Sequence, residues 1–351
     1  MSRGDRLRLA FCGLHPDRAA GLVARHGSAS AALGALEKGE VKASEAIRAG
    51  AGLSERACRD RLSRLGVTPL FRDEPGYPRH LGALPGAPDV LFAKGPLPEA
   101  PGVAIVGTRR CTRYGLGLAR VYGQACAAAG WPVVSGLARG ADAEAHRGVA
   151  GAGGIGVAVL GCGPDIVYPP EHRPLLEALL AAGGALVTEY PPGARPEPWR
   201  FPPRNRIIAG LAAAVVVVEA AETGGALITA AAALEQGCHV FAVPGDVGRE
   251  TSRGCNLLIR DGATPVLDPA DLVAALSLLL GLPRPPPPGR KGHPPDGPGR
   301  ALLAALPPGG STLEGAAAAA GLAVTEAMAA ATRLEIDGLV RREGGLIVPG
   351  R

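Results

Sequence analysis

The chain has 351 residues, 47% of them hydrophobic, and a formal net charge of +5. That is enough apolar content for a sizeable core and enough length for two or three domains, which excludes a mostly disordered chain. Seven scattered cysteines form no C-x-x-C pair, which argues against a zinc site or a disulfide framework, and no apolar run reaches the about 20 residues of a membrane span.

Residues 1–68 carry apolar residues at three- and four-residue spacing, broken by glycines, as in "DRAAGLVARHGSASAALGAL". This predicts a small helical domain, of the sterile-alpha-motif or helix-hairpin-helix kind, that packs as a bundle or touches a nucleic-acid backbone. The N-terminus lacks a basic start followed by an apolar stretch, so a cytoplasmic protein without a signal peptide is expected.

Over 69–281 short apolar runs alternate with alanine-rich helical stretches: 103–106, 132–135, 155–160, 185–188, 215–218, 239–243 and 265–267. Strands buried on both faces have this pattern, and intervening helices make an α/β, doubly wound parallel sheet. The proline-rich 282–298, "LPRPPPPGRKGHPPDGP", predicts a linker. Residues 299–351 give three helical pieces and a hairpin turning at Gly344-Gly345, the outline of a winged-helix-like module. Acidic Glu326, Glu335 and Asp337 on its third helix repel phosphate, so a protein contact or self-contact is expected there rather than duplex reading.

The first strand of the sheet runs into "VAIVGTRRCTRYG", residues 103–115. A dinucleotide site needs G-x-G-x-x-G here and an acidic residue after the next strand. Instead the turn is Gly107-Thr108-Arg109, followed by Arg110, Thr112 and Arg113; Gly115 and Gly117 fall inside the next helix, and the next strand ends in Ser135-Gly136. Both halves of the nicotinamide fingerprint fail. What is left is an anion site: backbone N–H groups at a loop-to-helix junction, the helix dipole and a forked guanidinium. Arginine greatly outnumbers the four lysines, which also fits a GC-rich genome, so only the clusters are given functional weight.

Further along, "SGLARGADAEAH" supplies Ser135, Gly136 and Arg139 at another strand-end turn. Asp142 and His146, four apart on the following helix, form either a metal or catalytic pair or, preferred here, a helix-start carboxylate bonded to an imidazole. "RPEPWRFPPRNRIIAG" sets Arg195, Arg200, Arg204, Asn205 and Arg206 around Trp199 and Phe201. Cations interleaved with aromatics suit single-stranded nucleic acid, although Asn205 and Arg206 are equally able to pin the loop internally. Gly224-Gly225, after the 215–218 run, makes a second phosphate cradle on the same sheet edge. No nucleophile, metal-hydrolase or Walker motif occurs; Glu189, Glu219 and Glu222 are the only strand-end carboxylates suited to acid–base work, and each has a capping or arginine-orienting alternative.

The ordered run "GYPRHLGAL", "IVGTRRCTRYG", "SGLARGADAEAH", "VLGCGPDIVYPPEH", "TEYPPG", "FPPRNRIIAGL", "VVVEAAETGGALITA" and "VFAVPGD" resembles the DNA-processing protein A family (DprA, also called Smf) over about 70–268. The resemblance implies an extended Rossmann-like fold, a homodimer, and a non-enzymatic mediator. Such a mediator binds single-stranded DNA in natural transformation and hands it to the recombinase RecA, with no cofactor and no membrane. It implies that Gly107, Thr108 and Arg109 form a phosphate pocket lined by Ser135, Gly136 and Arg139, and that Phe201–Arg206 and Gly224-Gly225 extend the track. Thr108, Ala141, His172 and Ala226 stand where the family commonly has serine, isoleucine, asparagine and serine; no side-chain role is expected at Ala226. The rival class is a nucleotide N-glycosidase-like enzyme acting through Glu189 or Glu222.

Overall fold

The computed structural model describes residues 2–280, 297–307, 309–336, 339–343 and 345–349. The chain divides into two compact units, residues 1–285 and 286–351.

In the first unit five helices come first: α1 (Arg3–Phe11), α2 (Pro16–His26), α3 (Ala29–Glu37), α4 (Glu45–Ala51) and α5 (Glu55–Leu65). Ser28, Ser44 and Ser54 start the last three, each hydroxyl accepting an N–H from the first turn. Such caps satisfy donors that the helix itself leaves unpaired. Leu9, Leu22, Leu33 and Leu36 close the bundle on itself. Leu7, Phe11 and Leu62 pack instead with Phe71 and Phe92, which seats the bundle on the sheet edge.

That edge is β1 (Thr68–Phe71) and β2 (Val90–Lys94), flanking the short α6 (Arg79–Gly82). The alternating part follows: β3 (Gly102–Val106), α7 (Arg113–Ala128), β4 (Val133–Ser135), α8 (Ala141–Gly151), β5 (Gly156–Leu160), α9 (Arg173–Ala181), β6 (Ala185–Thr188), α10 (Phe201–Gly210), β7 (Ala212–Val217), α11 (Gly225–Glu235), β8 (His239–Ala242), α12 (Glu250–Arg260), β9 (Thr264–Pro265) and α13 (Pro269–Leu280). The nine strands lie in the order β1-β2-β6-β5-β4-β3-β7-β8-β9. The seven from β6 to β9 are parallel, while β1 and β2 are antiparallel additions.

Alternate strand residues serve two core layers. Ile105, Val133, Leu160 and Val216 face Tyr122, Val149, Leu179 and Leu276 of α7, α8, α9 and α13. Val106, Val134, Val159 and Val217 face Ile207, Ile208 and Ala230 of α10 and α11. Helices on both faces are what continuous apolar runs require. Among the described residues no single helix is long and apolar enough to cross a membrane.

The second unit holds α14 (Gly297–Ala305), α15 (Leu313–Ala320), α16 (Val324–Ile336) and an antiparallel pair, β10 (Val340–Glu343) and β11 (Leu346–Pro349). Leu302, Ala317, Ala331, Leu334 and Ile347 form its core. Of the expected linker only Gly297 and Pro298, at the start of α14, are described; the rest lies outside the described residues, as do Gly344 of the expected turn and Asp337.

Candidate nucleic-acid interface

The chain builds β3, β4, β5 and β6 outward in one direction, then returns to place β7 on the other side of β3. At this reversal the helices that follow β3 and β7, α7 and α11, go to opposite faces of the sheet, leaving a crevice beyond the carboxyl ends of the strands, where open α/β sheets bind ligands. A cleft of about 510 Å³ occupies that position. Gly107, Thr108 and Arg109 line it from the β3 side, Gly224, Gly225 and Ala226 from the β7 side, and Phe201, Arg204 and Asn205 from α10.

Glycines allow the loops to meet. A β-carbon at Gly107 would lie 2.6 Å from that of Ala141 and 3.0 Å from the carbonyl of Glu219. Thr108 N–H donates to that same carbonyl at 2.7 Å, stitching the β3 and β7 loops together. Gly224 caps α11 without a side chain, and a β-carbon on Gly225 would meet nothing. Leu227 N–H bonds back to the Gly224 carbonyl at 3.0 Å, while Gly225 and Ala226 line the cleft at the start of α11, where the helix dipole favours an anion.

Arg204 is buried beneath this cleft. Its Nη1 donates to the Gly136 carbonyl at 2.8 Å and to that of Val159, and its Nε donates to Asn205 Oδ1 at 3.3 Å. Asn205 in turn donates to the Gly225 carbonyl at 3.3 Å. Burial lowers the Arg204 pKa, partly offset by Asp142, and raises that of Asp142 against the pull of Arg204 and Arg109. Arg109 is exposed, its guanidinium 5.0 Å from the centre of the Phe201 ring. A second, smaller hollow adjoins, lined by Arg109, Gly136, Arg139, Tyr168 and Phe201.

Several residues singled out from the sequence are placed differently. Ser135 is buried and its hydroxyl donates to the Ile105 carbonyl at 2.6 Å. Thr112 caps α7, and its N–H and hydroxyl donate to the two carboxylate oxygens of Glu219 at 2.8 and 2.7 Å. Arg110 and Arg113 are exposed around the start of α7 but do not line the cleft. Arg206 is the internal pin, donating to the Gly86 and Pro203 carbonyls and to Glu189 at 2.7 Å. Trp199 also stands outside the cleft. Its indole N–H donates to Glu197, Arg200 covers its ring at 4.8 Å, and Tyr190 and His15 pack at 6.0 and 5.6 Å. The expected Asp142–His146 bond is replaced: Asp142 Oδ2 accepts the Gly136 N–H at 3.1 Å, and burial takes His146 down to about 4. No metal-binding group of histidine, cysteine and carboxylate side chains forms among the described residues.

The strand-end carboxylates take their structural alternatives. Glu219 receives Thr112, Glu189 pairs with Arg206, and Glu222 pairs with Arg253 at 2.6 Å. Neither Glu189 nor Glu222 lines the cleft. Tyr168, by contrast, lines both cleft and side hollow and went unremarked in the sequence. Its signal was an aromatic residue next to Pro169-Pro170, in the stretch after β5.

A mostly parallel nine-stranded sheet with a glycine-walled, arginine-floored crevice at its reversal point defines a Rossmann-like α/β protein. The family model for DNA recombination-mediator protein A matches residues 68–277, and the chain belongs to that family. Protein Smf of Synechocystis sp. is 43% identical over 216 residues, 60% of this chain and 54% of that protein. Protein Smf of Escherichia coli K12 is 39% identical over 59% of this chain and 56% of that one. The matches thus span about half the length of these curated relatives. The X-ray structure of DNA processing protein A from Streptococcus pneumoniae superposes with a TM-score of 0.63 at 31% identity, covering 78% of this chain and 98% of that one. The Helicobacter pylori protein of the same name, described in a single-stranded DNA binding mode, shares the fold with a TM-score of 0.52 at 24% identity over 60% and 95%.

Proposed function

We propose that the chain is a non-enzymatic recombination mediator that binds single-stranded DNA and passes it to RecA. The observation that carries this is the convergence of Gly107–Arg109, the α11 N-terminus and Arg204 on one cleft at the sheet reversal. Such a site takes a phosphodiester, with the Arg109 guanidinium and the positive end of the α11 dipole facing it and Phe201 as an apolar neighbour. Family membership supports the mediator role, and the single-stranded DNA described for the H. pylori protein agrees with it. Action as a homodimer and handover to RecA come from the family resemblance. A cytoplasmic location accords with seven free cysteines. The expected segments are a helical domain at 1–68, a Rossmann-like DNA-binding domain at 69–281, a linker at 282–298 and a winged-helix-like domain at 299–351.

The test is fluorescence anisotropy of the full chain with labelled oligo-dT, beside a base-release assay on nucleoside monophosphates. Saturable, salt-sensitive oligonucleotide binding without base release is expected. Release of free base, or saturable binding of mononucleotide alone, overturns the proposal.

A further inference from the structure

From the side hollow that continues the cleft, and resting on the reading above, we propose a second nucleotide subsite: Tyr168 stacks a base and Arg139 takes the next phosphate, in competition with Glu171. Three observations carry it. Tyr168 is 37% exposed, and its ring centre lies 5.7 Å from that of Phe201, which Arg109 approaches at 5.0 Å. A row of Arg109, Phe201 and Tyr168 thus leads out of the cleft. At its end lies Arg139, lining the same hollow, its Nε donating to Glu171 Oε1 at 2.6 Å. Both partners of that ion pair are about half exposed. Trp199, equally exposed, lines neither the cleft nor the side hollow and already packs with Arg200, Tyr190 and His15.

The chemistry is that of an unpaired strand. A tyrosine ring accepts any base by its π-face, and a guanidinium beside it accepts the phosphate one link along. Exposed ion pairs contribute little net stability, so phosphate displaces Glu171 from Arg139 at small cost. The carboxylate left behind still repels the strand, so Glu171 tempers affinity.

The experiment uses the full chain and labelled oligo-dT, with a fully abasic strand of equal length as control. Tyr168→Leu should weaken oligo-dT binding about 5- to 150-fold, the range one lost base stack corresponds to. It should bind the abasic strand like the wild type, and Tyr168→Phe should stay within about twofold. Glu171→Gln should bind oligo-dT more tightly and steepen the salt dependence by about 0.7 in log–log slope, since Arg139 no longer exchanges one anion for another. If Arg109→Ala weakens binding while Tyr168→Leu and Glu171→Gln leave it unchanged, the subsite is overturned and the cleft stands. If the wild type binds no oligonucleotide, both fall.

Discussion

The guanidinium of Arg204 packs against Gly136, donating Nη1 to its carbonyl at 2.8 Å. A β-carbon at Gly136 would fall 2.4–2.6 Å from three guanidinium atoms, so the glycine makes room for the arginine. Gly136→Ala should therefore push Arg204 off its carbonyls. Overpacking of this kind costs about 1–3 kcal/mol. Urea unfolding should show a lower midpoint at unchanged slope, with loss of oligo-dT affinity beyond what stability accounts for. Wild-type values for both would mean that the contact is loose.

Arg109 is the exposed cation of the cleft, positioned over Phe201. Arg109→Ala should lower affinity for oligo-dT, oligo-dC and oligo-dA about equally, because a phosphate contact carries no base information. The salt slope should fall by about 0.7, the share of one phosphate on a single strand. An unchanged slope removes Arg109 from contact with the backbone.

Trp199 joins the N-terminal helices to the sheet through His15, which also caps α2. Trp199→Ala should cost about 1–2 kcal/mol of stability for a partly buried ring, measured by denaturant titration. Oligo-dT affinity should stay within twofold at temperatures where the variant is folded. A large affinity loss would restore the track expected from the arginine–aromatic stretch.

How far the sequence carries depends on what each residue meets. The strands β3 to β8 are legible because burial on both faces writes them as unbroken apolar runs. The edge strand β1 is not: it contains Pro69 and an exposed Thr68, and proline is tolerated only where the ladder ends. The glycine turn at 107 is likewise legible, since close approach to Ala141 and Glu219 demands it. The fates of Arg204 and Arg206, two residues apart, are not. One meets Gly136 and goes beneath the cleft, the other meets Glu189 and pins a loop, and both partners are remote in sequence. Thr112 illustrates the same limit, because its partner Glu219 is 107 residues away.

Thr112 should behave as a structural cap. Thr112→Val removes the hydroxyl that accepts the Gly115 N–H and donates to Glu219. Loss of an N-cap costs about 1 kcal/mol. The melting temperature should drop while oligo-dT affinity holds within twofold. A selective loss of binding with full stability would put Thr112 on the strand.

Stability should also carry an acid signature from α8. Burial takes His146 from 6.5 in its ordinary state to about 4 in the fold. Between these values the unfolded chain binds a proton that the folded chain refuses, so stability falls as pH drops through the window. The full loss is roughly 3 kcal/mol, from 1.36 kcal/mol per pH unit. Asp142 acts with the opposite sign, because burial raises its pKa and the folded state takes up its proton first. Urea titrations at pH 7, 5.5 and 4.5 on the wild type and His146→Gln separate the two. The wild type should lose more stability towards acid than the variant, which keeps only the Asp142 contribution and the general acid loss. Parallel pH profiles would mean that the imidazole reaches water or a proton acceptor when charged, and that the α8 interior is not as dry as its packing implies.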